Sequence, residues 1–216
     1  MDYEAARRNM VESQIRTNKV THAALLDALS AVPRERFLPA DRAFAAYVDD
    51  DVLVAPGRYL MEPMVFARLV QLAEPVAGDR ALVVGAGAGY GAAVLARLVA
   101  SVTALESDPA LAAHGKSELA ALTTGNVTQA TGPLAQGWPG KAPYDLILIE
   151  GAVEEVPQAL FSQLADGGRI VAVVKTERVG RATLFIDRKK VVSHRPAFDA
   201  AVPLLAEFRR QRGFVF

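Results

Sequence analysis

Residues that could do chemistry cluster in one stretch of this chain, where residues 81–90 read Ala-Leu-Val-Val-Gly-Ala-Gly-Ala-Gly-Tyr. Apolar residues precede the glycines and a largely apolar run follows them, which predicts a buried strand, a tight turn and a helix. Gly85, Gly87 and Gly89 lack a Cβ atom, so the backbone can turn sharply and a ligand can approach it closely. Glu106 ends the next apolar segment, and its carboxylate can accept hydrogen bonds from both hydroxyls of a ribose. The spacing therefore predicts a nucleoside-cofactor site.

Two classes of cofactor fit a glycine-rich turn that follows a strand. The dinucleotide pattern, started at Gly85, requires a third glycine where this chain has Tyr90. The frame Gly87, Gly89 and Ala92 meets a looser version of that pattern, but it starts three residues beyond the end of the strand. The Gly-x-Gly-x-Gly spacing therefore favours a methyltransferase turn, with a nicotinamide-binding protein as the alternative.

The turn is embedded in an alternation of helix and strand patterns. We predict helix 63–73, strand 80–84, helix 90–99, strand 101–106, helix 109–122, strand 127–129, strand 144–150, helix 155–164 and strand 169–175. Near-continuous apolar strands between helices indicate a parallel sheet that is covered on both faces. Residues 182–187 and 191–193 flank three charged residues and predict an antiparallel hairpin. The expected fold class is therefore α/β: a class I methyltransferase-like, doubly wound, mostly parallel sheet with a C-terminal antiparallel hairpin and an N-terminal helical extension.

We expect one methyltransferase-like domain over residues 1–216, with an N-terminal helical cap and connector at 1–60 and a Rossmann-like core at 61–216. The cap is predicted to hold a helix over residues 3–16 and a second helix that begins at the N-cap Thr21. In an open α/β sheet the ligand lies outside the carboxyl ends of the strands. That rule predicts one cleft, lined by residues 85–89, 106–107, 130–133 and 150–151.

Composition excludes several classes of protein. The chain has 216 residues, 51% of them hydrophobic and 22% charged, which is typical of a soluble globular protein. Its formal net charge is zero, so no bulk field attracts nucleic acid or an anionic membrane. It has no cysteine, and its three histidines lack the spacing of metal ligands, so we expect no metal site. It shows neither a secretion signal nor an apolar run long enough to cross a bilayer, so we expect a cytoplasmic protein.

Several collinear segments give the chain a family resemblance: it resembles the protein-L-isoaspartate O-methyltransferases from about residue 5 to about residue 206. The segments that carry the resemblance are Val-Pro-Arg-Glu-Arg-Phe-Leu-Pro at 32–39, the glycine turn, Gly-Trp-Pro at 137–139, Ala-Pro-Tyr-Asp at 142–145, Glu-Val-Pro at 155–157, Gly-Gly-Arg at 167–169 and Val-Pro-Leu-Leu at 202–205. The resemblance implies an enzyme that transfers a methyl group from S-adenosylmethionine to a carboxylate of damaged aspartyl residues in proteins. It also implies these cofactor-binding residues: Gly85, Ala86, Gly87, Gly89, Tyr90, Glu106, Ser107, Gly132 and Pro133.

The chain departs from the family pattern at the site itself. Met61 occupies the place of a serine that contributes to the family's active site, and a thioether cannot donate a hydrogen bond. Val84 replaces an acidic residue just before the turn, and residues 132–134 read Gly-Pro-Leu where the family has Gly-Asp-Gly. Ala86 and Ala88 replace residues with hydroxyl groups. No catalytic residue is therefore assigned.

These departures leave two functions open. The first is the family's methyl transfer to an isoaspartyl carboxylate in a protein or peptide, with Glu62 and Glu150 as new polar groups and Arg58 as a candidate donor to the substrate. The second is a degenerate, catalytically impaired member that binds the cofactor weakly or not at all and acts through protein partners. The apolar ending at residues 213–216 is expected to dock on its own domain or to form a contact in a homodimer, and Arg209, Arg210 and Arg212 to form a solvated segment.

Overall fold

The computed structural model describes residues 1–176 and 179–210. Its strands are β1 Val52–Ala55, β2 Arg58–Leu60, β3 Arg80–Val84, β4 Ser101–Glu106, β5 Val127–Thr131, β6 Tyr144–Val153, β7 Leu164–Thr176, β8 Val179–Arg188 and β9 Val191–Asp199. Its α-helices are α1 Tyr3–Asn9, α2 Ala23–Ala31, α3 Pro63–Ala73, α4 Tyr90–Leu95, α5 Pro109–Leu122 and α6 Gln158–Phe161. Short helical turns of other types connect several of these elements.

Seven strands form one sheet in the order β5-β4-β3-β6-β7-β8-β9. The five strands from β5 to β7 run parallel, and β8 and β9 add to the edge as an antiparallel hairpin. Strands β3 and β6 are apolar on both faces because helices cover both sides of the sheet. The predicted doubly wound α/β fold with a C-terminal hairpin is confirmed.

The order of strands in the sheet places the carboxyl ends of β4, β3 and β6 side by side near its centre. The chain passes from β3 to β4 on one flank, and after β5 it returns to form β6 on the other flank of β3. Such a reversal of strand order opens a crevice above the strand ends, where open α/β sheets bind ligands.

The N-terminal part is less purely helical than predicted. Helix α1 runs into a π-helical turn at Met10–Ile15, and the side chain of His22, not Thr21, caps α2 by accepting a hydrogen bond from the Leu25 amide. Strands β1 and β2 form a separate antiparallel hairpin that the description of residues 1–60 as helical cap and connector missed. A Pro-Gly pair at residues 56 and 57 turns this hairpin.

Element bounds differ from expectation mainly in the second half of the chain. The hairpin strands β8 and β9 and the strand β7 are longer than predicted, because antiparallel pairing joins residues 169–176 to 179–186 and residues 181–188 to 191–199. Helix α6 is a single turn where residues 155–164 were predicted to be helical. The predicted docking of residues 213–216 and the place of Arg212 lie outside the described residues. In the part that is described, no helix has the length and apolarity needed to cross a membrane.

Candidate functional site

The glycine turn connects β3 to α4. The amides of Gly85 and Ala86 both donate to the carbonyl of Leu105 at 3.0 Å, which ties the turn to the end of β4. Gly85, Gly87 and Gly89 have φ of 75°, 55° and 98°, a region that side chains with a Cβ atom rarely adopt. A Cβ built on Gly87 would meet nothing within 4 Å, so at this position the turn needs glycine for its backbone angles.

Glu106 ends β4 and is completely buried. Its Oε1 accepts hydrogen bonds from the amides of Ser107 and Asp108 at 2.8 and 3.0 Å and from Nε of Arg58 at 3.0 Å. Its Oε2 accepts one, from the Gly87 amide at 2.8 Å. The carboxylate therefore holds the glycine turn, the start of the next loop and Arg58 together.

Arg58 connects this carboxylate to the molecular surface. Its Nη2 donates to Oγ of Ser107 at 2.7 Å and also pairs with Glu207. Side-chain exposure rises from 0% at Glu106 to 8% at Arg58 and 32% at Glu207. Burial opposes the charge of Arg58, but hydrogen bonds and attraction from Glu207 and Glu106 outweigh it and raise the pKa of the guanidinium. Arg58 is thus held in ion pairs with Glu106 and Glu207, so in this arrangement it is not the donor to the substrate that was expected.

The segment that carries Glu207 lies over the turn. The Leu205 amide donates to the carbonyl of Ala152, and the Ala152 amide donates to the carbonyl of Pro203, both at 2.9 Å. The side chain of Leu205 covers both Gly85 and Gly151. A Cβ on Gly85 would lie 3.2 Å from Cδ1 of Leu205, and one on Gly151 would lie 2.6 Å from Cγ of Leu205. The glycines at these two positions therefore allow the C-terminal segment to pack closely on the strand ends.

A second cluster of polar groups lies on the other flank of β3. Arg34 is completely buried, and its Nε and Nη2 donate to the carbonyls of Ala46 and Met61 at 2.8 and 2.9 Å. Its Cζ lies 4.6 Å from the centroid of the Tyr90 ring, a cation–π contact. Glu150 lies within β6, one residue beyond its pairing with β3, and points at Gly91, where a Cβ would lie 1.5 Å from its Oε1.

Burial controls the titration of this second cluster. Desolvation raises the pKa of Glu150 to about 8, although the attraction of Arg34 acts in the opposite direction and the repulsion of Glu106 adds to the rise. Oε1 of Glu150, Oη of Tyr90 and Nη1 of Arg34 are buried, and each lacks a hydrogen-bond partner in residues 1–176 and 179–210. A carboxyl with this pKa is largely protonated at neutral pH.

Met61 and Glu62 lie between β2 and α3. Met61 is buried, and its carbonyl accepts the hydrogen bond from Arg34. The Glu62 amide donates to Oδ1 of Asp51 at 2.9 Å, so Asp51 is tied to the start of α3. Burial and the neighbouring aspartates raise the pKa of Glu62 to about 7. Glu62 therefore belongs to an acidic surface cluster, whereas Glu150 lies against the glycine turn.

The structure brings most of the predicted residues together. Gly132 donates its amide to the carbonyl of Glu106 at 3.1 Å, which places residues 132 and 133 beside the end of β4. Tyr90 lies underneath the turn, where its ring packs on Phe37 and Phe66. The pairing of Arg58 with Glu106 and the burial of Arg34 were not predicted from the sequence. Within the described ranges, no group of acidic residues and histidines is arranged to hold a metal ion.

The site fits a nucleoside cofactor in two respects. Oε2 of Glu106 accepts one hydrogen bond, so it retains the capacity to accept another from a ribose hydroxyl. The backbone at Gly87 has open space where a side chain would stand. The carboxylate itself is fully buried, and it is bonded to Arg58, which in turn pairs with the more exposed Glu207.

The chain has many relatives with one description. The profile of the family described as protein-L-isoaspartate(D-aspartate) O-methyltransferase matches residues 5–202. The chain is 40% identical over 168 residues to protein-L-isoaspartate O-methyltransferase 2 of Anaeromyxobacter sp. (strain Fw109-5), covering 78% of this chain and 69% of that protein. It is 42% identical over 171 residues to protein-L-isoaspartate O-methyltransferase of Methylorubrum populi, covering 79% of this chain and 80% of the relative.

Solved structures agree with these relatives. A protein-L-isoaspartate O-methyltransferase superposes with a TM-score of 0.79 at 25% identity; the match covers 92% of this chain but 65% of that one, so this chain spans less than two thirds of its length. A putative protein-L-isoaspartate O-methyltransferase from Plasmodium falciparum, solved with S-adenosyl-L-homocysteine, has the same fold, with a TM-score of 0.77 at 16% identity over 96% of this chain and 99% of that one. The chain therefore belongs to the protein-L-isoaspartate(D-aspartate) O-methyltransferase family.

Proposed function

We propose that this protein transfers a methyl group from S-adenosylmethionine to a carboxylate of damaged aspartyl residues in proteins. Membership of the family is the observation that carries the proposal. The glycine turn and Glu106 support it, because they form the backbone cradle and the carboxylate that a nucleoside cofactor needs. We also propose that the protein is cytoplasmic and forms a homodimer, and these two parts of the proposal rest on the sequence alone.

The reaction asks little of the protein beyond positioning. S-adenosylmethionine supplies a methyl group on a sulfonium centre, and a carboxylate nucleophile is already ionised at neutral pH, so the protein does not need a general base. Its residues have to hold the two reactants in line and exclude water. Glu106 would hold the ribose, the open space at Gly87 would admit the nucleoside, and Leu205 would shield it.

Binding comes first in the test. Purified protein is titrated with S-adenosylhomocysteine by calorimetry, beside Glu106→Ala and the matched variant Glu155→Ala, whose carboxylate is exposed in a pair with Arg210. We expect micromolar binding by the wild type and by Glu155→Ala and a loss of binding in Glu106→Ala. Absence of heat with the wild type at millimolar ligand contradicts the proposal and supports the degenerate alternative that acts through protein partners.

Methyl transfer is then measured with two peptides that differ at a single bond. One contains an isoaspartyl linkage and the other a normal aspartyl linkage at the same position. We expect methylation of the isoaspartyl peptide alone. Binding of the cofactor without methylation of either peptide would leave the cofactor site in place and exclude the isoaspartyl substrate.

A further inference from the structure

Glu150 lies next to the glycine turn, on the flank opposite Glu106. The parallel register pairs Val84 of β3 with Ile149 of β6, so the following residues, Gly85 and Glu150, are also neighbours. The backbone oxygen of Glu150 lies 3.4 Å from the Cβ position of Gly85. Val84 of β3 pairs with Leu105 of β4 on one side and with Ile149 of β6 on the other, so the residues that follow these two partners are separated by two strand spacings, about 10 Å.

The carboxyl of Glu150 has an unmet hydrogen-bonding requirement. Its Oε1 is buried and has no partner over residues 1–176 and 179–210, although the residue as a whole is partly exposed. A buried acceptor without a donor costs free energy, and such groups are few in folded proteins. Glu150 thus combines a buried binding group with partial access from outside.

The nearest cation, Arg34, does not meet this requirement in the structure, since its Nη1 is likewise buried without a hydrogen-bond partner over residues 1–176 and 179–210. Two nitrogens of the Arg34 guanidinium are fixed by backbone carbonyls, and the group is stacked on the Tyr90 ring. Arg34 therefore attracts the charge of Glu150 without donating a hydrogen bond to it. The carboxyl remains ready for a second cationic donor.

The carboxyls of Glu106 and Glu150, on the two sides of β3, match a cofactor that has a nucleoside at one end and an amino acid at the other. We propose that Glu150 binds the ammonium group at the amino-acid end of the cofactor, while Glu106 serves the ribose. The inference rests on the proposed function, since it takes its cofactor from there. Glu62 is a poorer candidate because it faces Asp49, Asp50 and Asp51, which would share any cation with it.

Proton release accompanies such binding. The pKa of Glu150 is raised to about 8 by burial, with Arg34 opposing and Glu106 adding to the rise. An ammonium group stabilises the ionised carboxylate, so the carboxyl loses its proton when the ligand binds. The affinity is expected to increase as the pH rises towards 8 and to fall again where the α-amino group of the ligand loses its own proton.

The test compares two ligands that differ by one group. Calorimetry measures the affinity of S-adenosylhomocysteine and of its deamino analogue, in which hydrogen replaces the α-amino group. The proteins are the wild type, Glu150→Gln and the matched control Glu62→Gln. We expect the wild type and Glu62→Gln to prefer S-adenosylhomocysteine by about 10- to 100-fold, the effect of one hydrogen bond between charged groups, and Glu150→Gln to have lost most of this preference.

The outcomes separate the two proposals. If the wild type binds neither ligand, the proposed cofactor function fails and this inference fails with it. If the wild type binds and Glu150→Gln keeps the preference for the amino group, Glu150 does not bind the ammonium, and the proposed function is untouched. A loss of preference in Glu62→Gln instead would assign the ammonium to the acidic surface cluster. Titration in buffers of different ionisation enthalpy gives the proton release, which we expect in the wild type and not in Glu150→Gln.

Discussion

Two glutamates lie beside the glycine turn on the strands that flank β3, Glu106 at the end of β4 and Glu150 within β6, and their surroundings make them different groups. Glu106 accepts hydrogen bonds from three backbone amides and from Arg58. Glu150 has a buried oxygen without a partner in the described chain, beside an arginine whose two bonded nitrogens are held by carbonyls. The position of a carboxylate at the edge of the sheet places it near a ligand. The hydrogen-bond donors around it decide whether it stabilises the fold or remains available to bind that ligand.

The largest effect should come from Glu106. Glu106→Ala leaves Arg58 and three amides without their acceptor inside the protein, so we expect a loss of about 3–5 kcal/mol in the free energy of unfolding. Denaturant titration measures it. Glu155→Ala, which removes an exposed pair with Arg210, should change stability by less than about 1 kcal/mol. Equal losses in the two variants would remove the distinction between a structural and a surface carboxylate.

The free energy of unfolding should depend on pH through Glu150. Its pKa is near 8 in the folded protein and near the ordinary glutamate value when unfolded, so the folded state binds the extra proton between these values. The extra proton contributes its full stabilisation to the folded state below about pH 4.5, and this stabilisation is lost as the pH rises through 8. Relative to Glu150→Gln, we expect the wild type to lose about 2–4 kcal/mol between pH 5 and pH 8, at up to about 1.4 kcal/mol per pH unit.

Unfolding curves of the two proteins at several pH values check this prediction. The difference between them isolates Glu150 from Glu62 and Asp51, whose pKa values burial raises to about 7 and about 6. A difference that stays constant with pH would mean that Glu150 titrates like an exposed glutamate.

Gly91 tests where the carboxyl of Glu150 points. A Cβ at this position would lie 1.5 Å from Oε1 of Glu150 and 2.9 Å from Cε2 of Phe66. We expect Gly91→Ala to cost about 1–3 kcal/mol through overpacking. Adding Glu150→Ala should recover most of the loss, and purely additive effects in this double-mutant cycle would place the carboxyl elsewhere.

The smallest effect should come from Glu207, the outermost member of the Glu106 network. Glu207→Gln weakens a partly exposed pair, so we expect a loss of stability of about 1 kcal/mol or less. Arg58 then keeps its bonds to Glu106, Ser107 and the carbonyl of Gly57 but loses the attraction of a second carboxylate, which eases its displacement from Glu106. We expect an increase of a few-fold in the affinity for S-adenosylhomocysteine, measured by calorimetry; a decrease would show that Glu207 supports the cofactor site.

The sequence predicted the parts of the molecule that depend on local patterns. Apolar runs between helices predicted the parallel sheet, and the spacing of Gly85, Gly87 and Gly89 before Glu106 predicted the turn and the carboxylate beside it. The hairpin of β1 and β2 was missed, although Pro56-Gly57 between two short apolar segments was a signal for it.

Long-range contacts could not be predicted in the same way. Arg34 stands in a charged sequence, Arg-Glu-Arg, that looks solvated, and its burial depends on carbonyls 12 and 27 residues away. Arg58 meets Glu106 across 48 residues. Side chains alternate along β6, so Glu150 lies on the same face of the sheet as Leu146 and Leu148. The space that receives its carboxyl is at Gly91 in α4, the helix that connects β3 to β4, and the sequence of β6 does not reveal it.

The contact between Arg58 and Glu207 spans 149 residues of sequence, and this separation has a consequence during translation. A growing chain exposes Arg58 and Glu106 while roughly 100 further residues are added, which takes about 5–20 s at typical rates of synthesis. During that interval the strand ends lack both Leu205 and Glu207, so the nascent protein presents the glycine turn without its cover. Ribosome-bound chains stalled before residue 203 should therefore resist proteolysis in their sheet less well than released protein.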